Sequence, residues 1–259
     1  MSPEQRVAEY AATLPYSELT HPAVHSAKAR VLEMLARQTS NWLGEASKIA
    51  RDYAYLNESH CGSTIVGTRS RVAPEVAAFV NTLQAAGDDE EPGSLEIMPA
   101  LFALAELAGK GGQDLILGVV VAHDVAAETQ SLFAAGAAGS GAMLGMDEDT
   151  IELALRFGAN PATGGFEAAS IARDVVTACC LAQMGIGGAA IPDLPAGADF
   201  PTPRVTHSIE TAFDDAAGEH FAEAAEQVLR PVQIESVLHL VETLDELDSL
   251  SDLFDCLVV

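Results

Sequence analysis

Eight consecutive small residues at positions 134–141, Ala-Ala-Gly-Ala-Ala-Gly-Ser-Gly, constrain this chain more than any other stretch. Side chains this small fill little space of their own. The run is buried by letting neighbouring backbones approach, and that predicts a closely packed helix among helices. The surrounding sequence agrees. Ser2-Pro3-Glu4-Gln5 is a capping box with proline at a first helical position, opening a helix to about Leu14. Pro22 opens the next, and Val24, Ala27, Val31, Leu35 and Gln38 keep a helical spacing towards Trp42. Further helices are predicted over 45–56, 74–86, up to Ala108, 113–127 and 167–184, and Asp147 caps one holding Ile151, Leu155 and Phe157. Residues 63–67, Ser-Thr-Ile-Val-Gly, are the one extended piece predicted. The expected fold is mainly α, a single multi-helix bundle with little or no β.

Charge narrows the class further. The chain has 259 residues, 38 acidic against 13 basic, and a formal net charge of -25. Only Lys28, Lys48 and Lys110 are lysines. Hydrophobic residues make up 49 %, which excludes a disordered chain despite the charge. Acid-rich, lysine-poor composition spread along the whole length predicts adaptation to molar salt, where a Debye length of about 3 Å screens self-repulsion. No basic stripe exists to neutralise phosphates, so nucleic acid is not an expected partner. The apolar stretches are too short or too broken by glycine to span a bilayer, and no signal peptide is read at the N-terminus. A cytoplasmic protein is expected.

Residues 187–206 carry Pro192, Pro195, Pro201 and Pro203 among several glycines and read as a linker. Three segments follow from them: a helical core over 1–186, the linker at 187–206, and an acidic tail over 207–259. The tail holds 13 acids against the single base Arg230. Its stretches 216–229, 232–247 and 250–257 are amphipathic, so their apolar faces are expected to dock on the core.

Most chemistry-bearing motifs are absent. No G-K-[ST] P-loop, no dinucleotide fingerprint in a βαβ setting and no G-x-S-x-G elbow occurs. The cysteines Cys61, Cys179, Cys180 and Cys256 lack C-x-x-C spacing, so reduced thiols are expected. His21 and His25 are one turn apart but no third ligand follows in register, and His60-Cys61 is equally unsupported. His207 and His220 open the tail and are expected to be exposed, and His123 is read as a hydrogen-bonded core or interface histidine. No metal and no cofactor is expected. The remaining candidate is the loop Gly87-Asp88-Asp89-Glu90-Glu91-Pro92-Gly93-Ser94. Clustered carboxylates raise one another's pKa, which makes Asp88 or Glu91 a candidate general base; the competing reading is a solvated acidic loop.

That loop and the helix after it, Ile97-Met98-Pro99-Ala100-Leu101-Phe102-Ala103-Leu104-Ala105-Glu106, resemble the active-site segment of the MmgE/PrpD family. The family includes 2-methylcitrate dehydratases and cis-aconitate decarboxylases. Val7-Ala8-Glu9-Tyr10, the stretch 27–35, Thr64-Ile65-Val66-Gly67, Leu144-Gly145-Met146 with 151–155, Leu181-Ala182-Gln183-Met184-Gly185 and the closing stretch 241–248 are similar to family segments, in family order. The resemblance implies the family's helical domain alone, because relatives are longer and carry a second α/β domain where the Pro-rich linker stands here.

The resemblance also implies a damaged site. Asp88 and Asp89 match the family's aspartate pair, while Glu91 falls on the histidine of its His-Pro-Gly turn. The second histidine turn is missing at Glu128-Thr129-Gln130-Ser131, and the family lysine maps near Gly164, where neither Thr163 nor Gly165 is basic. Family substrates are di- and tricarboxylates, which an acidic loop repels. Two readings follow. In the first, the chain is a homologue that has lost the lyase chemistry and serves in binding or assembly, as a homodimer or as partner of a full-length relative. In the second it is a divergent lyase or isomerase on a small carboxylic acid, with Asp88, Asp89 and Glu91 as acid/base groups. A basic residue facing Asp88, Arg173 or His123 for example, would favour the second.

Overall fold

The computed structural model describes residues 2–86, 94–157, 167–188 and 215–259. Several helices start where a side chain satisfies the first amides. In α1 (Pro3–Thr13) the Ser2 hydroxyl accepts from the Gln5 amide at 3.2 Å, and the Gln5 side chain accepts from the Ser2 amide at 2.9 Å. Thr20 caps α2 (His21–Ser40), and Asp147 caps α8 (Glu148–Leu155) with its carboxylate held low by the Thr150 hydrogen bonds. Gly109 at φ 62° and Gly145 at φ 70° take the left-handed conformation that ends α5 (Met98–Ala108) and α7 (Leu132–Leu144). The remaining helices are α3 (Glu45–Tyr55), α4 (Pro74–Ala85), α6 (Gly112–Thr129), α9 (Glu167–Gln183), α10 (Asp215–Ala225), α11 (Pro231–Glu242) and α12 (Ser251–Cys256). The fold is mainly α. Among the described residues no helix is long and apolar enough to cross a membrane.

Helix α7 is the centre of the bundle. Residues 133–143 are all buried, against α6 on one side, α9 and α5 on another, and α8 at a third. The small-residue tract sits here because each glycine faces a neighbour that leaves no room for a methyl group. A Cβ at Gly139 would lie 2.5 Å from the Gly118 carbonyl oxygen of α6. One at Gly136 would meet Ile97 at 2.4 Å, and one at Gly141 would meet Ile151 at 2.6 Å. The tract thus sets three helix-to-helix distances at once.

Among the described residues extended structure is confined to a hairpin, β1 (Glu58–Thr64) antiparallel to β2 (Arg71–Val72). The sequence placed its extended piece later, at 63–67, and here the structure differs. Residues 65–67 turn away from the ladder, with Gly67 at φ 87°, and polar side chains of α4 take the backbone groups of Thr64 and Val66. Asn81 accepts from the Val66 amide at 3.0 Å and donates to the Thr64 carbonyl at 2.9 Å, and Gln84 donates to the Val66 carbonyl at 3.3 Å. The Glu106 carboxylate of α5 anchors the strand end, accepting from the Thr64 amide at 2.7 Å and the Thr64 hydroxyl at 2.6 Å, with Arg71 at 3.3 Å.

The C-terminal helices lie on the core. Helices α10 and α11 pack on α2, and Phe254 of α12 meets Phe102 of α5 edge-on at 5.7 Å. The segment predicted as one helix over 232–247 breaks after Glu242 into a 3-10 turn, Leu244–Glu246, pressed against the start of α6. There the Gly112 amide donates to the Leu247 carbonyl at 2.8 Å. Lys28, buried on α2, donates to the Glu242 carbonyl at 2.6 Å and pairs with Asp245. The Lys28 hydrogen bond, before other causes, holds the Asp245 carboxyl below its usual range. A depressed carboxyl adds stability above its unfolded pKa of about 3.9, and that contribution is lost as pH falls through the lower folded value. Urea titrations across the acid range should therefore show a shallower acid limb in Asp245→Asn than in the unaltered protein.

Candidate functional site

The acidic loop that carries Asp88, Asp89 and Glu91 lies outside the described residues, as do Gly164 and its neighbours. The elements that flank it in the chain are described. Helix α4 ends at Ala85, and a 3-10 turn, Ser94–Ile97, packs on α2, α4, α6, α7 and α9. Ile97 is fully buried in that turn, wedged against the Gly136 position of α7, and Glu96 is buried beside it.

Helices α2 and α6 join α1 in a polar cluster inside the apolar bundle. The Tyr10 hydroxyl donates to Asp124 Oδ2 at 2.5 Å, and both residues are buried. Burial first, then the charge and hydrogen bond of Asp124, push the phenol far above its ordinary pKa, so it stays protonated. Next to Asp124 on α6, half-buried His123 places Nε2 3.5 Å from Nη2 of Arg30 on α2. A guanidinium only donates, so this contact is favourable when Nε2 carries the lone pair and the ring is neutral. Burial lowers the Arg30 pKa, opposed by the charges of Glu33 and Asp124. Tyr10→Phe removes the donor to a buried carboxylate and should cost about 1–2 kcal/mol in chemical denaturation.

The other sequence candidates fall apart in space. Arg173 is exposed on α9, paired with Asp174 at 2.9 Å and lying 6.0 Å over the Phe79 ring. His21 and His25 stack at 4.3 Å, and burial, then His21 and Lys28, lower the His25 pKa against the opposing pull of Asp245. Among the described residues no group of three or more His, Cys, Asp or Glu is arranged to hold a metal ion. Cys179 is buried, its thiol pushed up to about 12 chiefly by burial, which makes it an inert packing residue. Cys180 and Cys256 are also free thiols, each with its pKa raised chiefly by burial. The side chains of His60 and Cys61, and all of His207, lie outside the described residues; His220 is exposed on α10. Residues 128–131 form a tight junction in which Gln130 takes φ 55° and Ser131 caps α7, with no imidazole present.

Sequence reasoning weighed His123 but passed over Tyr10, Arg30 and Asp124. A signal for Asp124 was available: an acid within the apolar run of α6 requires a buried partner. The cluster can orient and hold charge. It offers a protonated phenol, a carboxylate occupied by that phenol, and an arginine set beside an imidazole.

The profile of the MmgE/PrpD N-terminal domain matches residues 5–197. The chain belongs to the MmgE/PrpD family. The match covers most of the chain and stops in the Pro-rich segment, before α10. No curated protein matches the sequence. Within this MmgE/PrpD chain the Tyr10–Asp124 and Arg30–His123 contacts therefore join α1, α2 and α6 of the N-terminal helical domain.

Proposed function

We propose that this MmgE/PrpD chain has lost the family's dehydratase or decarboxylase chemistry and serves in binding or assembly. The observation that supports it most is the cluster on α1, α2 and α6. The cation described there, Arg30, lies against the His123 ring and feels the chain's own carboxylates, Glu33 and Asp124. The sequence adds Glu91 where the family has histidine, and no lysine near Gly164. A tricarboxylate needs several cations to hold it, and proton transfer at neutral pH needs a group that titrates there.

On this reading residues 187–206 replace the family's α/β insert, the tail over 207–259 is a docked part of one domain, and the protein works in a salt-rich cytoplasm. It assembles as a homodimer or with a full-length relative, and a small carboxylic acid is its candidate ligand. The second reading, a divergent lyase or isomerase, draws support from Arg30 and His123, which bring a guanidinium and an imidazole together between α2 and α6. A turnover screen in molar KCl with 2-methylcitrate, cis-aconitate and related acids separates the two. The expected result is no turnover. Turnover abolished by Asp88→Asn would overturn the proposal in favour of the second reading.

A further inference from the structure

Helix α3 buries only Ser47, Ala50 and Ala54, three small residues on one side. Its flank carries Ala46, Ile49, Tyr53 and Leu56 at the three-four-three spacing of a helix-packing seam, all exposed. Ile49 is 61 %, Tyr53 47 % and Leu56 83 % exposed, with Leu43 at 69 % just before the helix. At roughly 200 Å² for a large side chain, these four leave on the order of 500 Å² uncovered, against the ~800 Å² per partner of a standard interface. Scattered surface leucines do not amount to that.

Charge says what covers it. The chain is strongly acidic, yet α3 is balanced, Glu45 and Asp52 against Lys48 and Arg51. The hairpin continues the patch. Arg51 lies 3.6 Å over the Trp42 ring, and Trp42 packs so tightly on Gly67 that a Cβ there would be 2.4 Å away. Two residues on, Arg69 borders a recess of about 410 Å³ with Glu58, Ser59, Ser70 and Arg71. Among the described residues no ion pair joins Lys48 or Arg69 to a carboxylate, although acids outnumber bases by 38 to 13 and Glu58 shares the recess with Arg69.

We infer that the outer face of α3, with the Arg69 edge of the hairpin, is the contact between two copies of this chain. Elsewhere two copies meet as like charges, which costs association; here each offers an apolar seam with both signs beside it. A two-fold axis between Ile49 and Tyr53 sets Ile49 of one copy opposite Tyr53 of the other, and Ala46 opposite Leu56, as a self-complementary patch requires. Lys48 and Arg69 then reach the second copy's Glu45, Asp52 or Glu58.

This deepens the assembly reading above, and its test reads mass rather than turnover, so each can fail alone. Sedimentation in molar KCl is expected to show a concentration-dependent dimer. Ile49→Asp and Leu56→Asp should each weaken it about 100-fold or more, Arg69→Glu about tenfold, and Met184→Asp, at a site 76 % exposed outside the patch, not at all. In the unaltered protein, amide exchange over 45–57 should accelerate on dilution, which needs no variant. A monomer at every concentration overturns the inference. So does a dimer indifferent to Ile49→Asp and Leu56→Asp, or one broken equally by Met184→Asp.

Discussion

Gly139→Val should destabilise the protein by about 3 kcal/mol or more, a fall in Tm of about 6–12 °C for a chain of this size. The cause is distance. A Cβ at 139 would lie 2.5 Å from the Gly118 carbonyl oxygen and 2.7 Å from the Ala122 Cβ, and the oxygen belongs to the backbone of α6. No rotamer change relieves that contact, so α6 and α7 must separate. Separation also opens gaps at Gly118, whose own Cβ position lies 2.9 Å from the Gly139 carbonyl oxygen. Gly109→Ala is the informative comparison. Nothing lies within 4 Å of a Cβ there, but φ is 62°, so the cost is conformational and about 1 kcal/mol. Urea denaturation of both variants measures the difference. A Gly139→Val protein as stable as Gly109→Ala would mean the two helices are not set by backbone contact.

Gly112→Ala should cost about 3 kcal/mol or more as well, and the loss should be directional. A methyl group at 112 would sit 1.6 Å from the Leu244 carbonyl oxygen and 2.5 Å from its carbon. The 3-10 turn at 244–246 has to lift off the start of α6. That strains the Gly112 to Leu247 hydrogen bond, the Lys28–Asp245 pair and the Phe254 contact with Phe102. Amide exchange in α11 and α12 should therefore rise well before that in α5 and α7, since the tail detaches ahead of the core. Uniform acceleration across the protein would show instead that tail and core open as one unit.

Helix starts were legible in the sequence because they depend on a few adjacent residues. Ser2 with Gln5 and Asp147 cap in the structure, and Pro22 stands in the first turn of α2. The small-residue tract was legible for a related reason, since its composition leaves backbone approach as its one use. Helix ends inside the tail were not. The break after Glu242 is imposed by α6, far away in the chain, and no local residue forces it. The hairpin failed for the same reason: Ile65 and Val66 have strand-like side chains, but Asn81 and Gln84 on α4 claim the backbone groups of Thr64 and Val66. Of the site, the sequence named His123 and the loop acids. Tyr10, Arg30 and Asp124 come together only through the packing of three helices, which the linear order does not encode in any short motif.

The account rests on a scaffold that outlived its proton chemistry, and solvent-deuterium exchange tests this before any product need accumulate. The protein is incubated with 2-methylcitrate in D₂O at molar KCl, and the carbon-bound proton signals are followed by NMR. The account predicts that they keep full intensity, in the unaltered protein and in Asp88→Asn alike. Exchange catalysed by the unaltered protein and absent from Asp88→Asn would contradict it.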